Sequence, residues 1–330
     1  MDVLSEALAL MRTGSPLTAR ARRRGAWAER HGPFPGAGFH VVLRGSCWLL
    51  PVDGHPVELG PGDVVLLPRG SEHALAYAPG LSLTGMPAGC RPVVPDVLLE
   101  DIDGAGSGDD VPRTAADRMS VDLLCGAYQL DRDLTHPLFA QMPDLVHLPA
   151  TVGSRPALRA AVELIGGDLQ QAQLGGAAAV GALLDLLLVY IVRAYVEEQA
   201  DDPTRGQPAA GWPAALADPA ITTALHVMHQ EPARPWTVQE LGQRAGLSRA
   251  AFARRFTALV GRPPLSYLTW WRLSTAARLL READAPLASI ASQVGYTSQF
   301  AFAHAFKREF GLSAGSYRHQ WRERADTVAA

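Results

Sequence analysis

The sequence predicts an α+β chain: an N-terminal antiparallel β unit with helices, then a C-terminal domain built only of helices. Three observations predict it. Short apolar segments separated by turn residues run from Phe39 to Met86, the texture changes to helical spacing from Pro156, and the tail after Asp218 contains one helical unit twice. At 330 residues, 48% apolar and 19% charged, the chain is long enough for two compact domains and too apolar for disorder.

In the first half, FHVVLRG, SCWLLPV, GDVVLLPRG and HALAYA read as strands, with Asp53-Gly54 as a hairpin turn. The polar, glycine-rich stretch Asp101 to Arg118 reads as a loop before a further strand, VDLLCGAYQL. Leu174 to Glu198 then sets Leu174, Ala178, Leu184, Leu188, Ile191, Val192 and Tyr195 at helical spacings, with apolar residues on more than one face. Such a helix must be buried on several sides, in its own domain or in a homodimer. Its apolar run, Leu183 to Val192, is broken by Asp185 and is shorter than the ~20 residues that cross a bilayer, so no membrane span is expected. Asp2 and Glu6 stand where a secretory signal needs basic residues, which points to the cytoplasm. The Pro-, Gly- and Ala-rich segment from Asp201 to Leu216 reads as an interdomain linker.

Charge is unevenly placed. Between Asp218 and Ala325 there are fourteen Lys or Arg and seven Asp or Glu, so a tail of +7 is joined to a remainder of -10 within a net charge of -3. A basic domain beside an acidic one suits a chain of which only one part meets a polyanion. The three cysteines, Cys47, Cys90 and Cys125, are an odd count without metal-finger spacing and read as reduced thiols.

The internal repeat decides what the tail is. GRPPLSYLTWWR from Gly261 aligns with GLSAGSYRHQWR from Gly311, and Phe252 and Phe256 match Phe302 and Phe306 at the same offset. Each copy has the grammar of a helix-turn-helix. In the first, Val238, Leu241 and Ala245 form an apolar face, Gly246 ends the helix, and Ser248 caps the next, which buries Phe252 and Phe256 and exposes Arg249, Arg254 and Arg255. In the second, Leu287, Ile290, Ala291 and Val294 precede Gly295, Thr297 or Ser298 is the cap, and the outer face shows Gln299, His304, Lys307 and Arg308. These donors reach base edges and phosphates. The connecting helix, Pro263 to Ala283, spans about 30 Å at 1.5 Å per residue, close to the ~34 Å between successive major grooves on one face of DNA.

Residues Ile221 to Arg324, and above all RLSTAARLL through IASQVGYTSQFAFAHAFKREFG, resemble the AraC/XylS family DNA-binding domain. The resemblance implies seven helices, with promoter contacts from the N-terminal halves of the third and sixth. It places Arg249, Ala250, Ala253 and Arg254, then Gln299, Phe300 and His304, toward bases. Phosphate contacts are expected from Arg272, Lys307, Arg308 and Arg318 and from the helix-start amides at Ser248 and Thr297, with Arg255 and Ser298 as further DNA-binding residues. Ala314 departs from the proline usual in the family at that place.

GDVVLLPRGSEHALAY, Gly62 to Tyr77, resembles the second motif of the cupin β-barrel, and FHVVLRGSCWLL occupies the place of the first without its paired histidines. His40 and His73 remain as inward ligands; a divalent metal there needs a further ligand, for which Cys47, Cys90 or Cys125 is available. Cys90, followed by Arg91, is a redox candidate. Together with CGAYQLDRDLTHPLFAQMPDLVHLP, this pairing resembles the AraC-family branch with a cupin sensor. The resulting division is 1–155 cupin-like sensor, 156–200 helical linker or dimerisation segment, 201–217 flexible linker, and 218–325 double helix-turn-helix domain. The resemblance implies a transcriptional regulator that binds double-stranded promoter DNA, generally as a homodimer, answers a small-molecule, metal or redox effector, and works with the transcription machinery. A cupin metalloenzyme, dioxygenase or isomerase, carrying a DNA-binding tail is the alternative. No catalytic residue is indicated, since no Gly-x-Ser-x-Gly elbow precedes a helix.

Overall fold

A computed structural model describes residues 2–82, 84–86, 88, 99–103, 120–131, 134–150, 155–169, 174–201 and 211–329. The strands are β1 (Leu17–Arg24), β2 (Ala28–His31), β3 (Ala37–Arg44), β4 (Cys47–Pro51), β5 (Val57–Leu59), β6 (Val64–Leu67), β7 (His73–Ala76), β8 (Leu99–Asp103), β9 (Val121–Tyr128) and β10 (Val146–Leu148). The helices are α1 (Val3–Met11), α2 (Pro137–Gln141), α3 (Pro156–Asp168), α4 (Gly176–Asp201), α5 (Trp212–Ala217), α6 (Pro219–Gln230), α7 (Val238–Arg244), α8 (Arg249–Val260), α9 (Pro264–Glu282), α10 (Leu287–Gln293), α11 (Gln299–Phe310) and α12 (Ala314–Ala329). Two compact units result, and they do not follow chain order. Met1–Met11, Asp133–Gln141 and Glu198–Ala330 form the helical unit, while Arg12–Arg132 and Met142–Glu197 form the β-rich unit.

The β-rich unit has a six-stranded sheet, β10-β6-β3-β9-β1-β8, and a four-stranded sheet, β2-β7-β4-β5. The strands form these two sheets among the described residues, where the cupin resemblance suggested one closed barrel. One pair, β1 with β8, is parallel. Ala21, Val42, Val65 and Leu123 of the larger sheet and Cys47, Leu49, Leu59 and Leu75 of the smaller share one buried core. Arg20 and Arg23 of β1 are also buried. Arg20 donates Nε to Asp122 Oδ1 at 2.8 Å and pairs its Nη2 with Oδ2, and Arg23 holds Glu29 Oε2 through Nε at 3.1 Å and Nη2 at 2.8 Å. Buried charges survive only when paired in this way.

α4 lies in the segment whose apolar residues cover several faces, but its burial is partial, since Leu174 just before it and Ala178 and Leu186 within it are exposed. Leu184, Leu187, Leu188, Ile191 and Val192 are buried, the Tyr128 hydroxyl donates to the Leu184 carbonyl at 2.8 Å, and Asp185 pairs with Arg12 at 2.6 Å. By length and composition alone, Gly176–Gln199 would suffice to cross a bilayer, with a mean hydropathy of 2.0 over its most apolar window, more than the sequence reading allowed. The contacts above pack one part of this helix, around Leu184 to Val192, within its unit.

In the helical unit, α6 to α12 supply the seven helices that the resemblance implies. α5 forms within the segment read as linker because Trp212 is fully buried there. α1 belongs to this unit: Arg281 donates to the Leu10 carbonyl at 3.0 Å, and His229 Nδ1 meets Glu6 Oε2 at 2.9 Å. A buried relay continues from there. Tyr267 donates its hydroxyl to His229 Nε2 at 2.7 Å, His136 Nε2 lies 3.5 Å from the same hydroxyl, and His136 Nδ1 accepts the Leu138 amide at 3.2 Å. Every proton in this chain then has one place. Burial, followed by the neighbouring imidazole, holds His136 well below the ordinary histidine range, and burial lowers His229 although Glu6 opposes it.

Candidate functional site

The two copies of the repeat build matching scaffolds. Phe252 packs on Phe256 with ring centroids 5.5 Å apart, and Phe302 on Phe306 at 5.6 Å. Tyr267 and Tyr317 then close edge-on against Phe256 and Phe306 at 5.8 and 5.5 Å. These aromatic anchors fix the rotation of α8 and α11 about their axes, and so decide which residues face outward. The N-termini are set by Ser248, whose Oγ accepts the Ala251 amide at 3.3 Å, and by Ser298, whose Oγ accepts the Ala301 amide at 3.4 Å. Of the two caps the sequence allowed, Ser298 is used and Thr297 stays exposed.

Outward from these scaffolds, Arg249, Ala250 and Arg254 are exposed on α8 and Ala253 is half-buried; Gln299, Phe300, His304, Lys307 and Arg308 are exposed on α11. Phe300 is 83% exposed, unusual for an aromatic ring and suited to contact with a thymine methyl or a base face. Among the described residues, Arg249, Arg254 and Lys307 have no ion-pair or hydrogen-bond partner, so their charge is available to a polyanion. Arg255 is half committed, its Nε donating to Asp218 Oδ2 at 2.5 Å. Two expected phosphate contacts are spent on the scaffold. Arg272 donates Nε to the Pro232 carbonyl at 2.6 Å and Nη2 to the Arg234 carbonyl at 2.7 Å, and Arg318 donates to the Ala285 carbonyl at 2.6 Å. Both struts tie α9 and α12 to preceding loops, a role that the spacing of arginines alone does not reveal.

The β-rich unit holds a second constellation. His31 of β2 and His73 of β7 are register partners, and their rings stack at 4.9 Å with planes 7° apart. His40 of β3 comes from the other sheet, its Nε2 lying 2.7 Å from His73 Nε2. One ring nitrogen from each of the three lies within 4.8 Å of the others. They line a cavity of about 400 Å³ together with Phe34, Ser71 and Cys125. Gly70 shapes its rim: its φ is +57°, and a Cβ there would lie 2.2 Å from the Phe34 carbonyl oxygen. Burial keeps His40 and His73 uncharged at neutral pH; with His31 beside it, His73 is brought down to about 3, and His40 is lowered well below its ordinary value.

The sequence reading found His40 and His73 but not His31, and offered Cys47 as a further ligand. Cys47 is not in the cluster: it packs in the apolar core, where burial, then Glu29 and Asp63, push its thiol up to about 12, so it stays protonated. Cys125 is paired in register with His40 and lines the cavity as a buried thiol. Cys90 lies outside the described residues. His31 carried one signal, its place before Gly32-Pro33, which ends a strand.

A cupin family model matches residues 2–197, and a helix-turn-helix domain model matches residues 241–320. An AraC-like transcription regulator of Streptomyces lividans is 36% identical over 96% of this chain and 98% of its own length. The chain belongs to the AraC-like transcription regulators. This AraC-like protein also matches the HTH-type transcriptional regulator AlkR of Acinetobacter baylyi, 28% identical over 97% of this chain and 100% of AlkR. The RCS-specific HTH-type transcriptional activator RclR of Escherichia coli is 26% identical over 98% of this chain and 100% of its own length. All three relatives are named as regulators of transcription, and the metalloenzyme alternative finds no support among them. This AraC-like regulator is a DNA-binding protein.

Proposed function

We propose that this regulator reads promoter DNA through the N-terminal halves of α8 and α11, with Arg249, Arg254, Gln299, Phe300 and His304 toward bases and Lys307 and Arg308 on phosphates. One observation carries the reading: two serine-capped helices, each anchored by a buried Phe-Phe-Tyr cluster, present polar and cationic side chains that are not neutralised within the fold. Ala250 and Ala253 offer only methyl contacts, so α11 reads more sequence than α8. The cupin domain is the effector-binding part and acts in the cytoplasm. Two cavities support that, the histidine-lined one and another of about 540 Å³ bordered by Leu43, Arg44, Leu158 and Arg159; both fall in the size range of small-molecule sites.

The test is fluorescence anisotropy of the full chain on promoter fragments enriched from its own genome, at several salt concentrations. Arg254→Ala and His304→Ala each weaken specific binding by about 1–3 kcal/mol, and Lys307→Ala lowers the salt slope by about one. Tight sequence-specific binding that survives the Arg254→Ala/His304→Ala double substitution refutes the contact assignment.

A further inference from the structure

We infer that His31, His40 and His73, with the Glu29 carboxylate beside them, form a binding site for a borderline first-row divalent cation of the zinc class. The site is assembled by both sheets: β2 contributes Glu29 and His31, β7 contributes His73, and β3 contributes His40. Glu29 and His31 stand two residues apart on one strand and so share a face.

The hydrogen bonding around these groups is incomplete in a telling way. His73 Nδ1 donates to the Ser71 carbonyl at 2.8 Å, which fixes the tautomer and leaves Nε2 as an acceptor that takes the Nε2–H of His40 at 2.7 Å, a bond that a cation would replace. Metal-bound histidines are held by such a bond to a backbone carbonyl. Arg23 occupies Oε2 of Glu29, while Oε1 faces His31 Nε2 at 3.6 Å, beyond a normal hydrogen bond. Among the described residues, Glu29 Oε1 and His31 Nε2, which face each other, and His40 Nδ1, on the far side of its ring from His73, are buried without a hydrogen-bond partner. Folded proteins rarely leave buried polar atoms unpaired, and the facing pair calls for a bound species.

The donor set selects the species. Imidazoles with one carboxylate oxygen suit zinc, nickel, cobalt or ferrous iron, and calcium and magnesium want an all-oxygen shell. Bonds of about 2.0–2.1 Å place neighbouring donors roughly 3.4 Å apart in a tetrahedral shell. The 2.7 Å His40–His73 pair must therefore open slightly and His31 close in, which side-chain rotation accomplishes. Three imidazoles and Glu29 Oε1 fill that four-coordinate shell; with Glu29 balanced by Arg23, the charge of the dication is left over, and the adjoining cavity has room for a small anion to balance it. The inference stands apart from the DNA reading, since it needs no promoter.

The experiment uses tag-free full-length protein stripped with EDTA. Zinc is titrated against a chromophoric chelator, cobalt(II) is followed by its visible absorption, and the melting temperature is recorded with and without zinc. One equivalent of zinc binds, cobalt gives a four-coordinate spectrum, and the melting temperature rises with zinc. His73→Gln weakens binding about 100-fold or more and abolishes the thermal shift, and Cys47→Ser changes neither. His31→Gln does the same as His73→Gln and lies at the least buried of the three positions, so it serves if His73→Gln fails to fold. Absence of saturable one-equivalent binding in the wild type overturns the inference. Unchanged zinc affinity in folded His31→Gln overturns it equally.

Discussion

Gly246 and Gly295 occupy equivalent places in the two copies of the repeat, each ending the first helix of its motif, yet they should respond differently to the same substitution. Both have left-handed backbones, with φ of +67° and +86°. An alanine at either therefore carries a conformational cost of about 1–2 kcal/mol. At Gly246 nothing lies within 4 Å of an added Cβ, so that cost is the whole effect. At Gly295 the Cβ would stand 2.7 Å from Ala233 Cα and 2.8 Å from its carbonyl oxygen, and backbone cannot rotate away as a side chain can. Overpacking of this kind adds about 1–3 kcal/mol, so Gly295→Ala should cost about 2–5 kcal/mol in total. Urea unfolding followed by tryptophan fluorescence measures the difference, because Trp212, Trp236, Trp270, Trp271 and Trp321 all belong to the helical unit and only Trp27 and Trp48 to the other. Gly295→Ala should also weaken promoter binding beyond Gly246→Ala, since the displaced backbone leads directly into α11. Equal destabilisation by the two alanines would refute the close approach of Ala233 as the reason for glycine at 295.

The helical unit should lose stability in acid. The folded pKa values of His136 and His229 lie below their unfolded values, so between the two only the unfolded chain takes up the proton. Their contribution is complete above about pH 6.5 and falls by about 1.4 kcal/mol per pH unit per imidazole as the pH drops toward the folded values; a urea midpoint unchanged between pH 7.5 and 5.5 would contradict this. In the β-rich unit, Asp122→Asn leaves the Arg20 guanidinium buried without its counter-charge and should cost about 3–5 kcal/mol, whereas Arg20→Met with Asp122→Leu should recover most of that. Thermal unfolding of the two variants compares them, and equal losses would show that the pair is not what makes the site costly to break.

What the sequence makes legible follows from which forces act locally. The repeat is plain because its recurring residues, Phe252 and Phe302, Phe256 and Phe306, Tyr267 and Tyr317, are core anchors whose spacing one helix turn dictates. The strands from Phe39 to Ala76 are plain because both of their faces are apolar or alternate. β1 hides for the opposite reason: LTARARRR carries four arginines, which read as a solvated segment, and only Asp122, on the distant β9, and Glu29, on the next strand, make two of them interior residues. β2, with the four residues AERH, is too short and too polar for any periodicity, so Glu29 and His31 go with it. The membership of α1 and α2 in the helical unit is equally silent, because Glu6 and His136 find their place through His229 and Tyr267, far along the chain. The proposed DNA-reading surface is therefore visible from the sequence, being the outer face of helices whose inner face is periodic. The histidine cluster is not, because strand register and the meeting of two sheets bring His31, His73 and His40 together, and neither leaves a trace in the spacing of residues.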